Sequence, residues 1–304
     1  MNWEKDGCEW SLNQISKFCY VRPYKWHIQD TQSTNKPILL LLHGTGASTH
    51  SWMHLIPLLE DTFRVIAIDL PGHGFTEAKD HTRSGLNLMA EDILTLLGTK
   101  KINPELIIGH SAGAALAFRI ALNAQPNSTA VVAINGVLDH YFEGLSGFFY
   151  PIAAKTLAIN PISATIIAQV NKITNQTKRL NVMTGSKIDN QSLRFYHKLF
   201  SDPTHLTGTI AMMSQWRLES LNNDLPQLKQ KSLFLIGQND KMVTQSSLLK
   251  YAKKVKGSKI KVEVGLGHLM HEEAPVIVQK HILRFFKDLN LQAKLNTPTQ
   301  YPLL

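Results

Sequence analysis

The chain has 304 residues, a hydrophobic fraction of 43% and a formal net charge of +9. This length suits one large domain or two small ones, and the composition is ordinary for a globular protein with a sizeable core. The basic residues are scattered, so the charge indicates no nucleic-acid partner. Because no basic region leads into an apolar run at the N-terminus and only Cys8 and Cys19 occur, we expect a cytoplasmic protein with free thiols.

Short apolar runs alternate with helical patterns along the chain. Segments 17–21 and 25–29 predict an antiparallel hairpin. Five nearly continuous apolar runs are typical of parallel strands buried on both faces, and a sixth run alternates as a half-exposed edge strand does. In chain order these strands are predicted at 38–42, 65–69, 106–110, 130–135, 233–237 and 260–264.

Helical patterns lie between and after these runs, at 52–59, 86–97, 111–124, 245–252 and 275–287. The last begins at Pro275, where a missing amide costs nothing. Its predicted apolar face consists of Ile277, His281, Leu283, Phe285 and Phe286. The repeated strand and helix pattern predicts an α/β fold with an open, mostly parallel sheet flanked by helices.

Residues 136–231 form an interval much longer than an ordinary crossover between two strands. Apolar segments in this interval are interrupted by Pro151 and Pro161, which argues against one continuous membrane-spanning helix. We expect a helical cap here, which either faces the substrate or only closes the core. The predicted domains are therefore a core of 1–135 and 232–289, a cap of 136–231 and a C-terminal tail of 290–304.

Residues 109–113 (GHSAG) are the strongest functional motif of the chain. A serine between two glycines, directly after a buried strand and before an alanine-rich helix, is typical of a nucleophile elbow. The glycines let strand and helix approach closely and leave the serine hydroxyl projecting into a cleft. We therefore predict that Ser111 is a nucleophile.

A serine hydroxyl needs a base to remove its proton and a third group to orient that base. Asp240 follows the strand predicted at 233–237, and His268 lies in a glycine-containing loop just beyond 260–264. Catalytic groups gather at the carboxyl ends of parallel strands, so we assign His268 as the base and Asp240 as the acid. Asp139, which follows the strand ending at Asn135, is the alternative acid.

Other histidines and carboxylates lie close in sequence to Ser111 and His268. His110 adjoins the nucleophile and is expected to pack structurally. His271, Glu272 and Glu273 resemble a metal cluster, but their spacing does not match H-E-x-x-H, and Glu273 precedes a helix start. We therefore predict no metal and no other cofactor.

Together these motifs resemble the α/β-hydrolase superfamily over about residues 17–289, and the resemblance implies the α/β-hydrolase fold. A closer similarity, to the magnesium-chelatase accessory branch associated with bacteriochlorophyll synthesis, rests on 43–52, 69–76 and 109–115. Further similar segments are 184–186, Met212-Met213 before Trp216, and 267–273. Arg217 follows Trp216 where that branch is expected to carry an acidic residue.

In this fold the developing oxyanion is held by two backbone N–H groups. We assign them to Ala112, directly after the nucleophile, and to Thr45, in the glycine turn after the first long strand.

The expected function is hydrolysis of a small hydrophobic ester or tetrapyrrole-like substrate. The alternative is a binding protein for a porphyrin intermediate at magnesium insertion. Carbon–carbon bond hydrolysis and perhydrolysis are also left open, as are peripheral membrane contact and the oligomeric state. Haloalkane dehalogenation is disfavoured, because that chemistry uses an aspartate where Ser111 stands.

Overall fold

The computed structural model describes residues 1–123, 129–138, 162–174 and 176–296. Within them one sheet contains the eight strands β1 Ser16–Val21, β2 Tyr24–Asp30, β3 Ile38–Leu42, β4 Arg64–Ile68, β5 Leu106–His110, β6 Ala130–Ile134, β7 Ser232–Gly237 and β8 Lys259–Glu263. Their order across the sheet is β1-β2-β4-β3-β5-β6-β7-β8. The first two strands form the predicted antiparallel hairpin, β2 pairs antiparallel with β4, and the remaining strands pair parallel to one another.

The central strands are buried on both faces, as their continuous apolar sequences predict. In β3, Leu40 and Leu42 point into one core layer and Leu39 and Leu41 into the other, because side chains alternate along a strand. β8 is an edge strand, as the alternating run predicted, but its first three residues are all exposed rather than alternating between exposed and buried. The α/β-hydrolase fold is thereby confirmed.

Helices cover both faces of the sheet. The described helices are α1 Trp3–Asp6, α2 Ile56–Leu59, α3 Leu86–Lys100, α4 Ala112–Asn123, α5 Ile162–Thr174, α6 Leu180–Thr184, α7 Asn190–Phe200, α8 Pro203–Gln215, α9 Glu219–Asp224, α10 Gln245–Lys254, α11 Met270–Glu273 and α12 Pro275–Asn296. One face of the sheet is covered by α3, α4 and α10, and the other by α2 and α12.

The last helix differs from its prediction in two ways. It continues to Asn296, into the segment expected to be a tail. Its buried stripe contains Val278, Ile282 and Phe285, spaced i, i+4 and i+7, whereas Ile277 is 38% exposed. The sequence carries apolar residues at both 277 and 278, and packing on the sheet selects the second.

The segment predicted as one helix at 52–59 is also different. A 3₁₀ turn over Thr49–Trp52 precedes the short helix α2. Pro57 lies in the first turn of α2, where its missing N–H is tolerated, so the helix begins close to it rather than at residue 52.

Helices α5 to α9 lie between β6 and β7, and we call the described part of this interval, residues 162–231, the insertion. Its helix α5 packs on α8 through Ala164, Ala168, Leu206 and Ile210. The cap predicted for 136–231 remains a prediction, since part of it lies outside the described residues. Over the part of the chain described above, no helix is both long and apolar enough to cross a bilayer.

The turn between β5 and α4 depends on two glycines. A Cβ on Gly109 would overlap the carbonyl group of Gly113, and a Cβ on Gly113 would overlap the carbonyl oxygen of Leu42. Strand and helix therefore approach so closely that neither position has room for a side chain.

We expect Gly113→Ala to lower the free energy of unfolding by at least about 2–3 kcal/mol, because the clash is with backbone that cannot move aside. The control is Gly98→Ala in α3, where a Cβ would meet nothing within 4 Å. That control should raise stability by about 0.5–1 kcal/mol through helix propensity. Urea unfolding measures both, and equal effects would contradict the packing argument.

Candidate active site

Ser111 lies at the carboxyl end of β5, near the centre of the sheet. Its φ of +53° is in the left-handed region, which non-glycine residues rarely adopt. Backbone hydrogen bonds hold this conformation: the Ser111 N–H donates to Ile134 at 3.0 Å, and the N–H groups of Ala114 and Val137 donate to the Ser111 carbonyl at 3.1 and 3.0 Å. The strained backbone and its anchors are those expected of a nucleophile elbow.

Asp240 and His268 are joined by a hydrogen bond of 2.8 Å between Oδ2 and Nδ1. The other carboxylate oxygen, Oδ1, accepts the backbone N–H groups of Met242 at 2.7 Å and Val243 at 2.9 Å. These two bonds fix the carboxylate, which is fully buried. Because a carboxylate can only accept, the proton of the neutral imidazole is on Nδ1, and Nε2 is left as the acceptor.

His110 links the loop that carries His268 to the strand end that carries Ser111. Its Nε2–H donates to the His268 carbonyl at 2.9 Å, and the two imidazole rings lie 4.7 Å apart. Burial, together with the neighbouring histidines 271 and 268, lowers the pKa of His110 well below its usual value. His110 is therefore a neutral donor, in agreement with the structural role expected for it. Since His110 directly precedes Ser111, its hydrogen bond holds the backbone of His268 close to Ser111.

The glycine turn after β3 passes directly against Ser111. A Cβ on Gly44 would lie 3.0 Å from Cβ of Ser111. Among the described residues, the backbone N–H groups of Thr45 and Ala112 donate no hydrogen bond. The turn is anchored by His43, whose Nδ1–H donates to Gly44 at 2.8 Å while Nε2 accepts the Leu70 N–H at 2.9 Å. Two unused donors are thus available beside Ser111.

Asn135 is a positioning residue that the sequence did not reveal. Its Nδ2 donates to the carbonyl groups of Gly267 and His268, both at 2.9 Å, and its Oδ1 accepts the Gly237 N–H at 2.8 Å. The residue is fully buried and has a φ of +45°. One side chain therefore joins the end of β6 to the end of β7, which precedes Asp240, and to the loop that carries His268.

The turn 184–186 in the insertion holds the same two loops from the other side. The Thr184 carbonyl accepts the N–H of His268 at 2.9 Å and that of Lys241 at 3.4 Å. Ser186 Oγ accepts the Leu269 N–H at 2.8 Å. This turn carries one of the segments that resembled the accessory branch, but its contacts with the acid and histidine loops could not be read from its sequence.

The residues that resembled a metal cluster have separate partners. The His271 ring packs against Trp52, with centroids 4.5 Å apart. Glu272 accepts the Tyr196 hydroxyl at 2.7 Å, and Glu273 accepts the Gly267 N–H at 2.9 Å. No group of three or more metal-ligating side chains occurs in the described ranges.

The alternative acid, Asp139, lies outside the described residues. The structure therefore describes one of the two candidate acids, Asp240, in contact with His268.

A buried Ser–His–Asp chain of hydrogen bonds that does not include Ser111 is present among the described residues. His27 bonds to Asp69 at 2.7 Å through Nδ1 and to Ser16 at 3.0 Å through Nε2. Although burial opposes it, the pairing with His27 holds the pKa of Asp69 well below its usual value. The His27 ring is fully buried against Trp3, Phe18 and Phe75. Because these rings leave no room for a substrate, the role of these hydrogen bonds is structural. They tie β2 to the end of β4.

A family profile for the alpha/beta hydrolase fold matches residues 37–275. The chain belongs to the α/β-hydrolase family. It is 37% identical over 265 residues to the magnesium-chelatase 30 kDa subunit of Rhodobacter capsulatus, covering 87% of this chain and 92% of that protein. The expected resemblance to that branch is confirmed.

More distant α/β hydrolases are also similar to this chain. Human epoxide hydrolase 4 is 25% identical over 296 residues, covering 90% of this chain and 80% of that protein. The structure of an esterase from Exiguobacterium antarcticum superposes with a TM-score of 0.71 at 18% identity, covering 89% of this chain and 99% of that one. The structural likeness establishes the fold alone.

We expect Asn135→Asp to lower the free energy of unfolding by about 2–4 kcal/mol, because it removes the donor of two buried carbonyl groups and puts a carboxylate near them. Aspartate tolerates the left-handed backbone as asparagine does, so the change isolates the donor. The control is Asn87→Asp, whose exposed bond to Ser220 should be worth less than about 0.5 kcal/mol. If urea unfolding gives equal losses for the two variants, the positioning role is wrong.

The pKa shifts of buried histidines and of Glu272 predict that the free energy of unfolding is greatest near pH 6.5. Burial lowers the pKa of His50, His73 and His271 to about 3. The unfolded chain then binds more protons between about pH 3 and 6.5, so stability falls as the pH drops through this range. Burial raises the pKa of Glu272 from 4.5 to about 8. Between these two pH values the folded protein holds a proton that the unfolded chain has lost, so the free energy of unfolding falls as the pH rises through this range.

We expect Glu272→Gln, which mimics the protonated carboxyl group, to remove most of the loss above pH 6.5. The wild-type protein should lose about 1–2 kcal/mol of unfolding free energy between pH 6.5 and 8.5, and the variant much less. The control is Glu77→Gln, which alters an exposed pair with Lys25. Urea unfolding at both pH values provides the measurement, and a parallel loss in all three proteins would contradict the assignment.

Proposed function

We propose that the protein is a serine hydrolase that cleaves a carboxylic ester or a related acyl bond, with Ser111, His268 and Asp240 as its catalytic residues. The observation that carries the proposal is the hydrogen bond of 2.8 Å between Asp240 and His268. The carbonyl group of His268 is bonded by His110, which directly precedes Ser111 and its strained backbone. The bond to Asp240 leaves Nε2 of His268 as the proton acceptor. Membership of the α/β-hydrolase family supports hydrolysis as the reaction class.

In the acylation step, Ser111 Oγ attacks the carbonyl carbon and its proton passes to Nε2 of His268. Asp240 holds the imidazole and stabilises the imidazolium that forms. When the tetrahedral intermediate collapses, the bond from the carbonyl carbon to the leaving oxygen breaks, and His268 returns the proton to the departing alcohol. Water then repeats the sequence on the acyl-enzyme and releases the acid.

The N–H groups of Thr45 and Ala112 are the donors for the negative oxygen of the intermediate. Their lack of partners among the described residues supports this role, because donors free in the resting protein need not break a bond first. Donors of this kind are typically worth about 3 kcal/mol each in the transition state.

Apolar side chains of the insertion lie close to this turn, which favours an apolar substrate. Thr45 Oγ1 contacts Sδ of Met212 at 3.7 Å, and a Cβ on Gly46 would lie 3.2 Å from the Phe200 ring. A small hydrophobic ester or a flat tetrapyrrole-like ester fits such surroundings.

Labelling with a fluorophosphonate probe tests the mechanism. We expect the wild-type protein to be labelled and Ser111→Ala to lose labelling and to lower ester hydrolysis by about a thousand-fold or more. The matched control is Ser16→Ala, which removes the serine of the buried chain of hydrogen bonds and should be labelled normally. Labelling that persists in Ser111→Ala, or an unlabelled wild-type protein, would contradict the proposal.

The alternative is a binding protein for a porphyrin intermediate at magnesium insertion. It is favoured by the 37% identity to a protein named as a magnesium-chelatase subunit. A binding protein gains nothing from an oriented imidazole or from unused backbone donors, so we place this function second. Titration with protoporphyrin followed by fluorescence separates the two functions, since tight binding by a protein with an unreactive serine supports the alternative.

A further inference from the structure

The outer face of α5 carries a group of exposed apolar side chains. Ile166, Val170 and Ile173 are 57%, 48% and 84% exposed, and Ile162 lies on the same face. Their spacing of i, i+4, i+8 and i+11 places them on one side of the helix. Large β-branched side chains grouped in this way on a surface mark an interaction site more often than chance exposure.

The orientation of this helix is fixed by its other side. Ala164 and Ala168 are buried against Leu206 and Ile210 of α8. Asn171, also buried, donates to Oγ of Ser201 at 2.9 Å. Rotating the isoleucines inward would expose these alanines and break the Asn171 bond, so the apolar face is held outward.

The surrounding segment is strongly basic. Residues 162–200 contain Lys172, Lys178, Arg179, Lys187, Arg194 and Lys198, but Asp189 as the one acidic residue of the sequence in this range. Asp189 is engaged by His54 at 2.7 Å, and Lys198 pairs with Glu9 at 2.8 Å. Lys172, Arg179, Lys187 and Arg194 are exposed, and the described ion pairs include none of them.

We propose that the outer face of α5 docks on an anionic lipid bilayer, with its isoleucines and valine at the acyl boundary and the basic residues around it facing lipid phosphates. An amphipathic helix with an apolar face and flanking lysines binds in this way, and each basic residue near the surface contributes to the attraction. Lys172 flanks the apolar stripe, where a long side chain can reach the headgroups. A second copy of the chain is a poorer occupant, because it would bring two basic segments together.

This proposal does not rest on hydrolase activity, and its test is separate. The full chain is sedimented with vesicles of phosphatidylcholine alone and with vesicles containing 30% phosphatidylglycerol. We expect at least about ten-fold stronger partitioning to the anionic vesicles, lost at 1 M salt. Ser111→Ala should partition like the wild-type protein, so failure of the proposed catalysis leaves this result unchanged.

Two double variants test the surface itself. Ile166→Ser with Ile173→Ser should weaken partitioning by about ten-fold or more, and Lys172→Gln with Lys187→Gln by at least about five-fold. The matched control is Val276→Ser with Leu291→Ser on α12, whose side chains are 49% and 52% exposed. Circular dichroism verifies the fold of each protein.

Three results would overturn the proposal. The first is equal partitioning to neutral and anionic vesicles, and the second is an isoleucine variant that binds like the α12 control. The third is a wild-type dimer that the isoleucine variant converts to a monomer in light scattering, because the face is then an interface between copies.

Discussion

The site depends on the placement of one carbonyl group, that of His268. It accepts hydrogen bonds from Asn135 Nδ2 and from His110 Nε2, both at 2.9 Å, while the N–H of the same residue donates to Thr184. Because both the N–H and the carbonyl group of His268 are hydrogen-bonded, the backbone of this residue is fixed, and its imidazole is held in position to bond to Asp240. Geometry fixed in advance in this way costs no reorganisation during a reaction.

Neutral histidines hold the loops around this site. His43 and His205 each donate from one ring nitrogen and accept at the other, and their donated bonds end at Gly44 and Gly46. A protonated imidazole cannot accept, so each bridge requires the neutral ring. Burial supplies that condition, because it lowers the pKa of His43, and lowers that of His205 well below its usual value. The glycine turn beside Ser111 is thereby held by groups that carry no charge near neutral pH.

Local sequence patterns could predict much of the fold. They could also predict those residues of the candidate site that directly follow a predicted strand. The runs at 38–42 and 106–110 have the predicted bounds, and the elbow motif carries its own signature in two glycines. Asn135 had no such signature, since its partners at Gly237, Gly267 and His268 are 102 to 133 residues away. Tertiary contacts of this kind leave no periodicity in the sequence, and they also decided which apolar stripe of α12 is buried.

The insertion is coupled to the core by contacts that leave no space for a side chain. A Cβ on Gly185 would overlap the carbonyl group of Asn239, which directly precedes Asp240, and a Cβ on Gly208 would overlap the carbonyl group of Gly72. His205 of α8 also bonds to two core loops, donating to the Gly46 carbonyl and accepting the Gly74 N–H. Helix α8 therefore packs against α5 on one side and bonds to the glycine turn that carries Thr45 on the other. Because packed interiors deform little, this packing limits how far the turn can move.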